Sequence, residues 1–456
     1  MRMYSIVLAA GKGTRMKTEM PKCAFPLLKK PMIEYIVKAL EDSIVDDITL
    51  VVGHKAEVFH ELLKDRVTYA HQTEQLGTGH AVLSSASILE GLEGLTVILA
   101  GDVPLVTKEM IDNVVSHHLR EGNSLTVVSC LMPDPNGYGR IVRDANNNVI
   151  AIVEDKDADK EIRKIKEINS GLYCVDNILL FSALREITNN NAKHEYYLTD
   201  IVKIIGKTHR VGTYVEQDHD ALTGINDLYS LSNVEKRMRM EVNKQYMLSG
   251  VNIINPDTVT IASSVKIEEQ VTIYPNTYIT GNTVIMRHSS IGPNTEINNG
   301  IIHENCKVRH SLIHDSEIHH DSIIGPFAHI RNNSVIGPFN IMGNFVEVKK
   351  TTTKENVKAT HLVYIGDTTC GSDVNFGSGS VTVNYDGKEK HQTIIGNEVF
   401  IGANTNLIAP ITIGDNVFIA AGSTISKDVP SGTFAIARSE QINKEKHVDK
   451  YKKSKV

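Results

Sequence analysis

Ile261, Ile267, Ile273, Ile279, Ile285, Ile291 and Ile297 recur at an unbroken spacing of six residues. A helical stripe repeats every three or four residues and a lone strand every two, so neither accounts for the pattern. Six-residue repetition predicts a parallel β-helix, in which each hexad forms one flat side of a coil and turns its aliphatic residue into a shared core. The register returns at Ile318, Ile324, Ile330 and Ile336, and again at Ile395, Ile401, Leu407, Ile413, Ile419 and Ile425. β-Branched side chains suit a strand packed on one face. The coils are expected from about Val251 to Ala435. They should be interrupted where the hexads blur, between Lys349 and Asn375, and by an insertion from Asn384 to Thr393. Interruptions in a solenoid map to loops on one face, where binding sites often lie.

A chain of 456 residues is long for one domain and predicts two or three. Trp is absent and aromatics make up 5% of the chain, so the cores must be mainly aliphatic. A net charge of −6 gives no support for a general nucleic-acid-binding surface. The opening MRMYSIVLAA runs straight into a glycine loop and reads as a buried strand rather than a signal peptide, and no apolar run reaches the ~18 residues of a membrane span. Cys23, Cys130, Cys174, Cys306 and Cys370 lack metal-ligand spacing. They read as reduced thiols in a cytoplasmic protein.

In the N-terminal half, Tyr4 to Ala9 reads as a buried strand followed at once by Gly11-Lys12-Gly13-Thr14-Arg15. Glycines let the backbone approach a phosphate, and Arg15 and Lys22 add positive charge, although a glycine loop after a strand is also an ordinary turn. Strands at Asp47 to Val52 and Thr96 to Ala100, with a helix at His54 to Leu63, predict a parallel sheet with helices on both faces and ligands at the carboxyl ends of its strands. Asp102 lies at such an end, placed to hold a divalent cation or to cap the next turn. Asn226 precedes a helix whose apolar face carries Leu228, Leu231, Val234, Met238 and Val242 and which ends at Gly250.

The wording LAAGKGTRM followed by Pro21-Lys22, with QTEQLGT at 72–78, resembles the sugar-1-phosphate nucleotidylyltransferases, a Rossmann-like α/β fold. That resemblance implies a UTP site at Leu8, Ala9, Ala10, Gly11, Lys22, Gln72, Gly77 and Thr78, with Gln72, Gly77 and Thr78 reading the base. His80 reads as structural. It further implies a pocket for N-acetylglucosamine 1-phosphate at Gly139, Glu154, Asn169 and Thr199, and Mg²⁺ on Asp102 and Asn226.

The repeats resemble the hexapeptide left-handed β-helix, in which three chains usually associate, so a homotrimer is implied. GNFVEVKK at 343–350, KATHLVYIGD at 358–367 and NYDGKEK at 384–390 narrow the resemblance to the family of bifunctional N-acetylglucosamine-1-phosphate uridyltransferases and glucosamine-1-phosphate acetyltransferases, makers of a cell-wall and lipopolysaccharide precursor. A glucosamine amine must lose a proton before it attacks a thioester, and an imidazole suits that task, which selects His361 as base. Arg331 and Lys349 look like a phosphate clamp, Tyr364 and Asn375 like sugar contacts, and Glu347 like an aid to the base. For acetyl-CoA the resemblance suggests Asn384, Tyr385, Lys390, Ala403, Ala421 and Arg438. Ala403 stands where the family often has Ser, and Thr360 where it usually has Gly. The basic run from Lys444 to Lys455 reads as a solvated tail, or as an arm toward a CoA phosphate.

The expected organisation is a uridylyltransferase domain at 1–226, a helix at 227–250, a β-helix acetyltransferase domain at 251–436 and a tail at 437–456. Two alternatives are a single-activity nucleotidylyltransferase with a regulatory β-helix, and a non-enzymatic scaffold. HLVYIGD and NYDGKEK argue against the first, Arg15, Lys22 and Asp102 against the second.

Overall fold

A computed structural model of the chain describes residues 1–11, 13–445 and 447–451, so Lys12 of the glycine loop and Lys446, Lys452, Lys453 and Lys455 of the basic run lie outside the described residues. Two compact units form, Met1–Glu235 and Lys236–Val456, and the boundary falls inside the helix Leu228–Leu248. Gly250 follows with φ +95°, a left-handed conformation that favours glycine after a helix end.

In the first unit the sheet order is Val211–Val215, Leu125–Leu131, Glu167–Asp176, Leu95–Ala100, Met3–Leu8, Asp47–Val52, Thr68–His71. Successive strand residues point to opposite faces. Val7, Leu50, Val52 and Leu99 therefore pack under the helices Met32–Glu41, Ala56–Leu63 and Lys108–Glu121, while Ile6, Val51 and Ile98 pack against Thr78–Leu83, Asn177–Leu184 and Asp200–Ile205. The expectation of a wholly parallel sheet needs correction. Glu167–Asp176 runs antiparallel to both its neighbours, and a hairpin, Arg140–Arg143 with Val149–Val153, hangs from it. Strand direction depends on how the connections travel, which apolar patterning does not encode. The helix expected from His54 begins at Ala56, because Lys55 is left-handed at φ +55°.

The second unit is the expected parallel β-helix, from Asn252–Ile253 to Phe434–Ala435. Ile261, Ile273, Ile279, Ile285, Ile291 and Ile297 are fully buried in one continuous core, and Ile267 is partly buried against it. The expected interruption at Lys349 to Asn375 does not occur. Val348 pairs with Ile365 and Met342 with Ala359, 17 residues on, where Ile330 pairs with Val348 18 on. One residue is lost per coil while the winding continues, which blurs the hexads without breaking the ladder. The insertion does leave the coil: Cys370 pairs with Ile395, 25 residues on, and the excess forms a loop closed by a Tyr385–Lys390 bridge.

Candidate active sites

The carboxyl ends of the first unit's parallel strands open into a cleft of about 300 Å³ lined by Leu8, Ala9, Ala10, Gly11, Lys22, Gln72, Gly77, Thr78 and Asp102, together with Cys23, Gln75 and Glu195. Gly13 adopts φ +60°, and a Cβ there would meet the Lys22 Cβ at 2.7 Å, so only glycine lets the loop fold over Lys22. Gln72 is buried, and its Nε2 donates to the Gly77 carbonyl at 3.2 Å and lies 3.1 Å from His80 Nδ1. Both amide protons are thereby committed, and the carbonyl oxygen is left to accept from a ligand N–H. His80, expected to be structural, packs its ring nitrogen against the Gln72 amide. Thr78 Oγ1 accepts from the Leu198 amide at 3.1 Å, which ties the turn at Gly77 and Thr78 to Thr199 next door. Burial, then the charge of Asp102, pushes the Cys23 thiol up to about 12, so it forms the cleft floor as an inert group.

The four residues expected around the sugar come together. Thr199 Oγ1 donates to Glu154 Oε1 at 3.2 Å, and a Cβ on Gly139 would lie 3.6 Å from Glu154 Oε1 and 3.7 Å from Asn169 Cβ. Asn169 Nδ2 donates to the Tyr173 hydroxyl at 2.6 Å. Burial raises Glu154 above the ordinary carboxylate range, against the opposing bond from Thr199. A partly desolvated carboxylate beside neutral amides suits sugar hydroxyl and amide groups.

Asp102 and Asn226, far apart in sequence, converge on one cation. The Lys22 ammonium bonds Asp102 Oδ2 and lies 3.4 Å from Asn226 Oδ1, and Arg15 Nη2 donates to that same Asn226 oxygen at 2.7 Å. The Ile225 amide donates to the Asp102 carbonyl at 2.9 Å, which fixes the two segments together. A carboxylate and an amide oxygen meeting at one positive charge form a donor set that fits a hard divalent ion.

In the second unit, residues from neighbouring coils build a charged cluster. Lys349 and Asp367 are buried and paired, Nζ to Oδ2 at 3.1 Å, and Asn384 Nδ2 donates to the same carboxylate oxygen at 2.5 Å and lies 3.4 Å from the Tyr364 hydroxyl. Arg331, one rung before Lys349, donates from Nη2 to Glu347 Oε1 at 2.6 Å. Burial alone would raise Asp367, but the bonds from Lys349 and Asn384 outweigh it and hold the carboxyl below its ordinary range. Lys390, beside Lys349, is pushed below the usual lysine range by that neighbour. Arg331, Lys349, Lys350 and Lys390 make a basic patch suited to a phosphate.

His361 ends the strand Lys358–His361 on a different ladder, separated from Tyr364 by the corner at Leu362, which is left-handed at φ +48°. It heads a column that climbs coil by coil. The Gly379 amide donates to the His361 carbonyl, Asn404 to Ser378, and Gly422 to Ala403. Arg438 Nη1 then donates to the Ala421 carbonyl at 2.9 Å. Ala403 and Ala421 therefore share the column of His361, with Arg438 at its end. The Ala403 backbone contact persists without a serine hydroxyl, and Thr360 sits within the regular strand. Asn375 lies on this same ladder, opposite Lys358, and away from the Lys349 cluster. Tyr385 stays in the insertion loop, its hydroxyl donating to the Gly387 carbonyl at 2.8 Å. Asn384, expected near acetyl-CoA, donates to Asp367 and lies beside the Tyr364 hydroxyl.

Two residues went unread in the sequence. Asp367 closes KATHLVYIGD, and nothing in its local sequence marks it as buried. Ser378 lies between His361 and Ala403 in the column, outside the motifs named above; its spacing from His361, one 17-residue coil, is the signal that finds it.

Residues 4–229 match the Nucleotidyl transferase family, and residues 264–299 and 392–427 match the Bacterial transferase hexapeptide (six repeats) family. Several curated relatives bear the name Bifunctional protein GlmU. That of Acholeplasma laidlawii is 54% identical over 445 residues, covering 98% of this chain and 97% of the relative. That of Caldanaerobacter subterraneus subsp. tengcongensis is 47% identical with 98% of each chain covered, and that of Geobacillus thermodenitrificans is 46% identical over 100% of this chain and 99% of the relative. With both halves matched in one continuous alignment, the chain belongs to the bifunctional GlmU family.

Proposed function

We propose that the chain makes UDP-N-acetylglucosamine by two transfers at separate sites, in a uridylyltransferase domain at 1–226 and an acetyltransferase domain at 251–436, with the helix 227–250 between them and 437–456 as a tail. In the second unit, Arg331, Lys349 and Lys390 bind the phosphate of glucosamine 1-phosphate, and Asp367, Asn384 and Tyr364 orient the sugar. His361 takes a proton from the amine as its nitrogen attacks the acetyl carbonyl of acetyl-CoA, and CoA leaves as the thiol. An extended CoA lies along the column from His361 through Ala403 and Ala421 to Arg438. Asn375 and Tyr385, away from the phosphate cluster within one chain, act in a homotrimer, where three chains complete each site.

In the first unit, a phosphate oxygen of N-acetylglucosamine 1-phosphate attacks the α-phosphorus of UTP and pyrophosphate leaves. Gln72 accepts from the uracil N–H, Thr78 and Gly77 hold its edge, and Gly139, Glu154, Asn169 and Thr199 hold the sugar. Arg15 and Lys22 neutralise charge that develops on the phosphates. Mg²⁺ on Asp102 and Asn226 supplies Lewis-acid neutralisation of the same oxygens when bound. Lys22 then turns from Asp102 to the phosphates. Five buried, unpaired cysteines suit a cytoplasmic enzyme, and no helix among the described residues is long and apolar enough to cross a membrane.

The observation that carries this reading is the buried Lys349–Asp367–Asn384 cluster, since a β-helix that only assembles or regulates needs no desolvated ion pair on its flank. Release of CoA thiol from acetyl-CoA and glucosamine 1-phosphate, with UTP absent, tests it. Thiol release is expected. A folded protein that releases none, yet forms pyrophosphate from UTP and N-acetylglucosamine 1-phosphate, is a single-activity nucleotidylyltransferase.

A further inference from the structure

We propose that His303, Glu317 and His319 form a site for one transition-metal dication of the zinc type, a clamp between two coils of the β-helix. It lies outside both clusters described above. Ile301 pairs with Glu317 and Ile302 with Ile318, and the His303 amide donates to the Ile318 carbonyl at 2.9 Å. His303 and His319 therefore stand at the same step of consecutive coils, each one residue past an isoleucine buried in the core. Glu317 precedes His319 by two residues, so strand alternation puts both on the outer side.

The stacking is close and ordered. The two imidazoles lie parallel, 10° apart with centroids at 4.6 Å, as adjacent strands about 4.8 Å apart impose. Glu317 Oε1 sits 2.7 Å from His303 Nε2 and 3.5 Å from His319 Nε2. All three ligand atoms fall within 4.8 Å of one another. The side chains are between 22% and 35% exposed, open enough for an ion to enter yet held by their neighbours. The backbone beneath is anchored too: Ser289 Oγ donates to the His303 carbonyl at 2.8 Å, and Cys306 Sγ donates to the His319 carbonyl at 3.1 Å.

Two imidazole nitrogens and one carboxylate oxygen are the three-ligand set that Zn²⁺ accepts in tetrahedral geometry, with a fourth position for water. Ligand atoms about 2.0–2.1 Å from the ion lie roughly 3.3 Å apart. The His319–Glu317 separation is already close to that value, and small side-chain rotations bring in the rest. The ion takes the place of the hydrogen between His303 Nε2 and the carboxylate: a neutral imidazole moves its single proton to Nδ1, and a charged one keeps the Nδ1 proton and releases that on Nε2 to solvent. Asp102 and Asn226 offer oxygen only and favour Mg²⁺, whereas imidazoles select softer dications. The clamp spans a short coil, since Ile302 to Ile318 and Val308 to Ile324 are 16 residues where 18 is usual in the hexads. Cross-linking the two ends of that short coil is a structural service, and binding to the folded chain raises its stability by mass action.

The test uses the full chain, freed of metal by a chelator and held in excess Mg²⁺, titrated with Co²⁺ as a visible probe and then with Zn²⁺. The expected result is one Co²⁺ per chain with the intense d–d absorption of a tetrahedral site, displaced by Zn²⁺, and a Zn²⁺-dependent rise in Tm. H303Q and H319Q should lose the absorption and the Tm rise while retaining acetyl transfer, the activity of their own unit, which shows that the β-helix folds. The absence of tetrahedral absorption in the parent chain, or metal binding that survives unchanged in both variants, overturns the proposal.

Discussion

Replacing Asp367 by Ala tests the second unit most sharply, because it leaves a charge buried. The Lys349 and Asp367 side chains are 11% and 8% exposed, and the carboxylate also accepts from Asn384 and faces Lys350 at 3.6 Å. Removing one partner of a buried pair costs about 3–5 kcal/mol. For a cooperative unit of this size that corresponds to a fall in Tm of about 6–20 °C. D367A should therefore lower the Tm of the β-helix transition and reduce acetyl transfer at least ~100-fold through the displaced Lys349, Asn384 and Tyr364, with uridylyl transfer unchanged. Adding K349M removes the orphaned ammonium, so the double variant should be more stable than D367A while remaining inactive in acetyl transfer. The pH dependence follows from the depressed carboxyl. Its ionised form stabilises the fold fully above the unfolded value of about 3.9, and that contribution is lost as pH falls through the lower folded pKa. The Tm gap between parent and D367A should thus close in acid. A D367A protein with unchanged Tm at neutral pH, or equal loss of both activities, would refute the reasoning.

Three further outcomes are expected. Gly77 has φ +118°, and a Cβ there would stand 2.6 Å from the Tyr196 carbonyl oxygen, so G77A should raise the KM for UTP at least ~10-fold and leave acetyl transfer intact, checked by pyrophosphate and thiol assays. Glu154 is raised chiefly by burial, so its ionised form costs stability above the unfolded carboxylate pKa; E154Q should match or exceed the parent in Tm at neutral pH while raising the KM for N-acetylglucosamine 1-phosphate, as melting curves and initial rates will show. Ile330 is fully buried between coils, and I330A should lower the β-helix Tm by about 2–4 °C for each of the 2–5 kcal/mol that such a truncation costs.

The β-helix was legible because its core requires the same chemistry at every sixth position: Ile273, Ile285 and Ile291 stand in sequence as they stand in space. Its irregular coils were less so. A one-residue loss between Val348 and Ile365 shifts the hexads while the ladder stays paired, and only the pairing reveals that the winding continues. The nucleotide cleft was readable from motifs because the loop after a strand is local, so Leu8 to Gly11 and Gln72 to Thr78 each arrive as a block. Asp367 was not, because its burial depends on Lys349 and Asn384, each about one coil away, and no neighbour in sequence signals it. The antiparallel course of Glu167–Asp176 was hidden for a related reason, since a buried strand has the same apolar composition in either direction.

The central claim is that one chain carries two independent chemistries, and reciprocal knock-outs measure it most directly. Each half-reaction should be assayed separately in D102A and in H361A. The account predicts that D102A loses pyrophosphate formation and keeps thiol release, and that H361A loses ~10²–10⁴-fold in thiol release and keeps pyrophosphate formation. Loss of both activities in either folded variant would contradict it.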